Sequence, residues 1–488
     1  MKSRTALPAL AVCAVCLVLA PLTGCSSGGT DHEPSSSKGT KAAGVPGAPS
    51  ESRAPASGKG SKDPEDINGD GHRDLVIPAG AGGDQQNPGG DGRIAVVYGS
   101  AKGLDPSTRA VYGRRDLGLP EAGEGAGEPD AVPAEGVVHA DLDGDGFPDF
   151  ITTVEGKRAD DGHVSAPATV PYVTWGGPKG PEAGAEAAPV RLPRSASKLG
   201  VESVVSGDFD GDGHHDLASL AQNESSMVLL YGPFERSGAP SRTDTDLPWS
   251  DGELIADDID PSGKPRATSL LLHGVSDGEQ SGNTLYTAHR ASGLSKNGKR
   301  LRSGNAHTFG DFDGDELRDV AVGDDGSRND EPGYETEAPD VDGSLAVYPG
   351  DGGEPITHRL PEASKEPGND FGPGPFAAAD PDGDGRDGIL VATYEGATLI
   401  DGDERTTVLR EGPAKADGEK TPAKWRHARP AGAADFDGDG KDELILHWAP
   451  GILFGLYGEH PTHWWITNGT TSRDQTSFNT TGFARRAS

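Results

Sequence analysis

Past residue 25 the chain alternates short apolar runs with polar stretches, and almost no stretch carries a helical period. The runs are five to seven residues long, rich in Val, Ile, Leu and Tyr, and bounded by Gly, Pro and Asp. Examples are DLVIPA (74–79), RIAVVYG (93–99), DFITTV (149–154), YVTWGG (172–177), DLASLA (216–221), MVLLYG (227–232), DVAVG (319–323), SLAVYPG (344–350) and ELILHW (443–448). Runs of this length and composition predict β-strands. Their order also repeats. An apolar segment such as GVVHA (136–140) or VESVVSG (201–207) precedes an acidic decapeptide, and a second run follows it directly. A polar loop then leads to a third run ending in glycine. A weaker fourth run closes the unit, as in APVRLPR (188–194), TTVLREG (406–412) or THWWITNG (462–469). In the last unit ILFGLYG (452–458) reads as the third run.

The decapeptides are DINGDGHRDL from Asp66, DLDGDGFPDF from Asp141, DFDGDGHHDL from Asp208, DFDGDELRDV from Asp311, DPDGDGRDGI from Asp380 and DFDGDGKDEL from Asp435. An eroded seventh copy, DIDPSGKPRA, starts at Asp258 between the third and fourth of these. First residues are separated by 75, 67, 50, 53, 69 and 55 positions, which makes an internal repeat. Four short antiparallel strands repeated seven times predict an all-β fold, a seven-bladed β-propeller of four-stranded antiparallel blades. Ring closure hides sheet edges and packs each blade on two neighbours, so the fold needs neither disulfides nor many aromatics. Two irregularities stand out. SKDPE before Asp66 holds no apolar strand, so the first blade is expected to lack its inner strand. The segment after Gly469, including SFNTTGF (477–483), has no blade of its own and is expected to close the ring against blade one.

The repeats resemble FG-GAP repeats, the integrin-α-type seven-bladed propeller, over about residues 63–488. A literal Phe-Gly stands at Phe371-Gly372. The family serves in adhesion, in sugar binding and as an accessory to enzymes, so the resemblance speaks to fold more than to activity.

The decapeptide also has the chemistry of a cation loop. A hard ion such as Ca²⁺ takes six to eight oxygens. Asp141, Asp143 and Asp145 alternate and can converge, while Gly144 and Gly146 permit the tight turns between them. The seventh residue, Phe147, can add its carbonyl, and Asp149 can close the site at the ninth position. The corresponding donors are Asp66, Asn68, Asp70, His72 and Asp74, then Asp208, Asp210, Asp212, His214 and Asp216, and Asp435, Asp437, Asp439, Lys441 and Glu443. The loop with Asp311, Asp313, Asp315 and Asp319 carries Glu316 where glycine is usual. The loop with Asp380, Asp382 and Asp384 has Gly388 at the ninth position and Asp387 one place early. An Asp-Gly hairpin turn favours some of the same residues. It accounts for the Asp-Gly pairs but not for acids at positions one, three, five and nine together. The expectation is five or six structural calcium ions. In the eroded copy Ser262 replaces the third acid, and Arg266 at the ninth position is expected to pair with Asp258 and Asp260 in place of a metal.

Composition narrows the setting. The net charge of −34 sets nucleic acid aside as a default partner and suits a calcium-rich exterior. The three cysteines, Cys13, Cys16 and Cys25, all lie in the first 25 residues. There Lys2 and Arg4 precede an apolar stretch from Ala6 to Leu22, which reads as a secretory signal. Leu22-Thr23-Gly24-Cys25 resembles a bacterial lipobox, implying cleavage before Cys25 and lipidation of its thiol; an ordinary secretory signal and an uncleaved anchor are the other readings. Residues 26–62, Ser, Gly, Ala, Pro and Lys with almost no large apolar residue, read as a disordered tether spanning roughly 30–35 Å. The expected product is a monomer anchored by lipid to the outer face of the bacterial cell membrane.

Several catalytic patterns fail on context. GVSDG (274–278) matches a nucleophile signature, but a polar turn and the strand TLYTAH (284–289) follow it where a helix is required. GEGAG (123–127) precedes no helix, so it is no phosphate loop. His460 and His463 lack a third metal ligand and are expected in a surface loop beside Trp464. His214 and His215 sit inside a loop with no ligand role beyond the backbone. If the acidic loops join strands one and two, the loops joining strands two and three lie at the other end of the ring. The long ones, 80–92, 155–169 and 324–342, are the expected binding face. The favoured function is a surface-anchored, calcium-stabilised module binding an extracellular protein or polysaccharide. The alternative is a secreted propeller enzyme acting on glycans.

Overall fold

The structure is a computed structural model. It describes residues 44–79, 92–121, 132, 136–160, 165–274, 279–328, 337–361, 374–393, 396–416, 418–450 and 461–483. The signal segment with Cys25, Phe371-Gly372, the GEGAG run, residues 275–278 of GVSDG, His460 and the run 452–458 lie outside them. So does much of the long loops 80–92 and 324–342.

The described residues form seven antiparallel blades in a propeller ring, with one 3₁₀ turn (Ala423–Trp425) as the only helix among them. Six blades have four strands in meander order, and the first has three, Leu75–Pro78, Ile94–Val97 and Arg109–Tyr112. Among the described residues it has no inner strand, as expected from SKDPE. Inner strands elsewhere are Val137–Ala140, Val205–Gly207, Glu253–Ala256, Ala306–Gly310, Phe376–Ala379 and Arg429–Ala434.

Burial explains which runs read clearly. Second and third strands such as Asp216–Leu220 and Met227–Tyr231 are buried throughout, because blades cover both of their faces. They therefore appear as unbroken apolar runs. Outer strands such as Arg242–Asp244 and Ile356–Arg359 are largely exposed and polar, hence the weak fourth run. Seven apolar clusters fill the seven blade interfaces. The one between blades 4 and 5, centred on Leu271, Phe309, Val320 and Val322, is the smallest. Polar contacts supplement it: Asn283 donates to three backbone carbonyls, and Gln280 Nε2 donates to Asp325 Oδ1 at 2.7 Å.

The C-terminal expectation needs correction. THWWITNG supplies the third strand of blade 7 (His463–Thr467), and Asp474–Asn479 pairs with it as the fourth, so the last segment does belong to a blade. Its side chains still join the closure. Phe478 and Phe483 pack with Ile77, Ala95, Val97 and Leu104 of blade 1. His463 is buried in that third strand and does not lie in a surface loop. The part of the expected tether that is described, residues 44–62, lies along the ring: Arg53 N donates to Ser107 O, Gly58 N to Pro178 O and Ser61 N to Gly146 O.

Candidate metal loops at one end of the ring

Each acidic loop of blades 2, 3, 5, 6 and 7 connects an inner strand to a second strand, which places these loops together at one end. One hydrogen-bond plan recurs. The first acid accepts from backbone N–H groups of the turn it encloses; Asp208, for instance, takes Asp212 N on Oδ1 and Gly213 N on Oδ2, each at 3.0 Å. The third and fifth acids accept from the N–H two residues on, as Asp143 does from Asp145 and Asp145 from Phe147. The glycines are required by the turn itself, with φ of 75° at Gly144 and 87° at Gly146. Glu316 takes the same left-handed conformation, φ 66°, at a cost of about 1 kcal/mol.

The ninth residue ties the loop to the blade. One oxygen of Asp216 accepts from Phe209 N and the other from Gly232 N, both at 2.8 Å. Asp74, Asp149 and Asp319 repeat this pair of bonds, to Ile67 and Gly99, Leu142 and Gly176, and Phe312 and Gly350. In blades 1, 2, 3 and 5 a glycine at the end of the third run is thus the partner of the ninth acid.

Three carboxylates converge in five loops: Asp141, Asp143 and Asp149; Asp208, Asp210 and Asp216; Asp435, Asp437 and Glu443; Asp311, Asp313 and Asp315; Asp380, Asp382 and Asp384. Within each group the potential ligand atoms lie within 4.8 Å of one another. Asp145, Asp212, Asp439 and Asp319 stand outside their loops' groups. The loop at Asp66 is not among the five; there Asn68 turns its amide nitrogen to Asp70 Oδ2 and Ala56 O. Asp387 is no displaced ninth ligand. Its Oδ2 accepts from Asp311 N at 2.8 Å, in the neighbouring blade.

These groups fit a cation. Asp141 Oδ1, Asp210 Oδ1 and Asp437 Oδ1, in three different loops, are buried oxygens with no hydrogen-bond partner. An unpaired buried carboxylate oxygen is costly, and an ion at the centre of the group satisfies it. Burial, reinforced by neighbouring carboxylates, pushes Asp149 and Asp216 up to about 8, Glu443 to about 7, and Asp208 and Asp319 to about 6. Arginines neutralise outward oxygens. Arg236 of blade 3 meets Asp143 Oδ2 and Asp145 Oδ2 at 2.6 Å each, and Arg242 meets Asp210 Oδ2 at 2.7 Å.

The eroded loop of blade 4 is held differently from expectation. Arg266 pairs with Asp257 Oδ2 at 2.5 Å and with the backbone carbonyl of Asp258, while Asp260 Oδ1 accepts from Ser262 N and Oγ. Asp257, immediately before the repeat, is the buried anion here, 2% exposed. Arg318 of blade 5 takes its other oxygen at 2.9 Å and reaches Asp258 at 3.1 Å and Asp387 at 3.4 Å.

The eighth residue was missed from sequence. In blades 3, 6 and 7 it clasps the first residue of the preceding loop. Asp141 N donates to His215 Nδ1, Asp311 N to Asp387 Oδ2, and Asp380 N to Asp442 Oδ2, all at 2.8 Å. Thr268 Oγ1 serves Asp208 N in the same way. The early acid at position 387 was the visible signal of this clasp. The loop end of the ring axis opens into a cavity of about 1200 Å³, to which all seven blades contribute.

No protein-family model matches the chain, and no curated protein matches it. Among solved structures it is similar to BBS1N in complex with ARL6DN, at 10% identity and TM-score 0.35, over 69% of this chain and 86% of that one. An arginine-to-alanine variant of AofleA from Arthrobotrys oligospora is similar at 10% identity and TM-score 0.33, over 83% and 94%. The V. cholerae biofilm matrix protein Bap1 is similar at 10% identity and TM-score 0.25, over 89% and 82%.

Proposed function

We propose that this is an exported, lipid-anchored propeller of the FG-GAP type, acting as a binding or adhesion module for an extracellular protein or polysaccharide. Its loops hold about five or six calcium ions, and their role is structural. The observation that carries the metal reading is the set of unpartnered buried oxygens on Asp141, Asp210 and Asp437, each in a group of converging acids. Oxygen-only donors around a flexible loop suit calcium better than zinc or copper, which favour nitrogen and sulfur. Ions at one end rigidify the scaffold and leave loops at the other end free to vary, which is where binding usually resides.

The test is a screen of glycans and cell-wall fractions against purified protein, in calcium and in EGTA. The proposal expects calcium-dependent retention without change to the glycan. Release of shortened or unsaturated sugars would establish the glycan-enzyme alternative. Substituting Cys25→Ala should release the protein from the membrane fraction; unchanged membrane association would refute the lipid anchor.

A further inference from the structure

We propose that the place of the missing inner strand in blade 1 is a binding slot for an extended polypeptide strand from another protein. This goes beyond the reading above, because the slot lies on the ring axis and involves none of the loops at the far end.

The innermost described strand of blade 1 is Leu75–Pro78, and among the described residues its only strand partner is Ile94–Val97. Ala79 N donates outward to Arg93 O at 2.8 Å. Antiparallel alternation then turns Ala79, Ile77 and Leu75 toward the partner strand, and turns Val76 N–H, Val76 C=O and Pro78 C=O toward the axis. Among the described residues nothing pairs with these three groups. In the other six blades an inner strand covers the equivalent edge. The chain does fill the last position of the missing strand, where Glu65 O accepts from Asp74 N at 2.7 Å. Upstream it leaves the axis, with Ser61 N bonded to Gly146 O and Lys59 N to Gly69 O.

The axial cavity reaches the loop end of this edge at Asp74 and Leu75. Leu75 lines it beside the open edge, Val137 and Val138 line it from blade 2, and Ala431, Gly432 and Ala433 line it from blade 7. Ala431 is exposed there, and the small side chains leave room for those of a guest. An open edge flanked by apolar walls matches strand addition, in which main-chain bonds give affinity and alternate side chains give specificity. At the loop end, Arg73, Lys264, Arg266 and Arg318 are outnumbered by acids that include Glu65, Asp311 and Asp442. The guest is therefore apolar at alternate positions and cationic at its end nearest the acidic loops. Pro78, which has no N–H, limits the ladder at the other end.

The test uses the full chain in calcium and a fluorescein-labelled peptide. Its sequence is that of the protein's own inner-strand segment 201–207, VESVVSG, with two lysines added after the glycine. Anisotropy should show saturable binding. N-methylation of one alternate set of peptide amides should weaken it by about tenfold or more, and methylation of the other set by less than about twofold. Val76→Pro, which removes the axial N–H and no existing ladder bond, should weaken it similarly with the fold retained by circular dichroism; the methylated peptides keep the test decisive if that variant does not fold. Absence of saturable binding, or equal loss from both methylation sets, would overturn the proposal. So would a protein that dimerises by size-exclusion with the slot occupied by its own copy.

Discussion

Asp216→Ala separates two roles of one carboxylate. The side chain is 1% exposed and accepts from Phe209 N and Gly232 N, both at 2.8 Å. Truncation orphans two buried N–H groups, at about 1–3 kcal/mol each, or roughly 2–6 kcal/mol together. Without metal an opposing effect offsets this. Burial pushes the carboxyl up to about 8, so at pH 7 the folded protein must carry a proton that the unfolded chain has lost. From an unfolded value of 3.8, that costs roughly 4 kcal/mol. The alanine variant escapes this cost, so in EGTA its stability should stay within about 2 kcal/mol of the parent. With calcium bound the carboxylate is ionised against the ion and the proton cost vanishes. The variant should then lose the full 2–6 kcal/mol, roughly, together with one ligand. Urea unfolding followed by tryptophan fluorescence at pH 7, in calcium and in EGTA, reads both values. Equal losses in the two conditions would refute the reasoning, leaving Asp216 as a staple with no tie to a metal.

Other contacts give further expectations. Burial holds the His215 imidazole down to about 4, and its neutral Nδ1 accepts from Asp141 N. The unfolded chain therefore binds the extra proton between about 6.5 and 4, and stability falls as pH drops through that window. Melting curves at fixed calcium should show this component in the parent and not in His215→Phe; identical pH profiles would contradict the clasp. Arg318→Leu leaves Asp257 with Arg266 alone and should cost about 3 kcal/mol in urea unfolding, most of it recovered by adding Asp257→Asn. No recovery in the double variant would show that the charge is not the cause. Deleting residues 470–488 removes the outer strand of blade 7 with Phe478 and Phe483, each worth about 3–5 kcal/mol when buried. The truncated chain should elute as aggregate by size-exclusion; a stable monomer would contradict the role given to this strand in closing the ring.

The blades were legible because the second and third strands are buried on both faces, which leaves an unbroken apolar run for each. Even the missing inner strand of blade 1 could be read, from the lack of any apolar run in SKDPE. The last blade was misread because Asp474–Asn479 is an outer strand: only Phe478 and Asn479 of its six residues are buried, so the pattern carries little signal. Loop chemistry was legible as a set of acids but not as a geometry. Which three acids converge depends on turn conformation, and that differs between the loops at Asp208 and Asp311 despite similar sequences. The clasps were hidden for another reason. The eighth position holds His215, Asp387 and Asp442 in the clasped loops but Arg73, Pro148 and Arg318 in others, so no single residue type marks it; His or Asp can take the neighbouring N–H. Arg266 pairs with Asp257, outside the repeat, since that carboxylate is the more deeply buried.

The claim that calcium in these loops holds the ring together is tested most directly by titrating metal-free protein with calcium. Native mass spectrometry would count bound ions while scanning calorimetry follows the melting temperature of the same samples. The prediction is about five or six ions per chain, with the melting temperature rising as they bind and falling again in EGTA. A chain that binds no calcium at millimolar concentration, or binds it with an unchanged melting temperature, would contradict the structural role assigned to the loops.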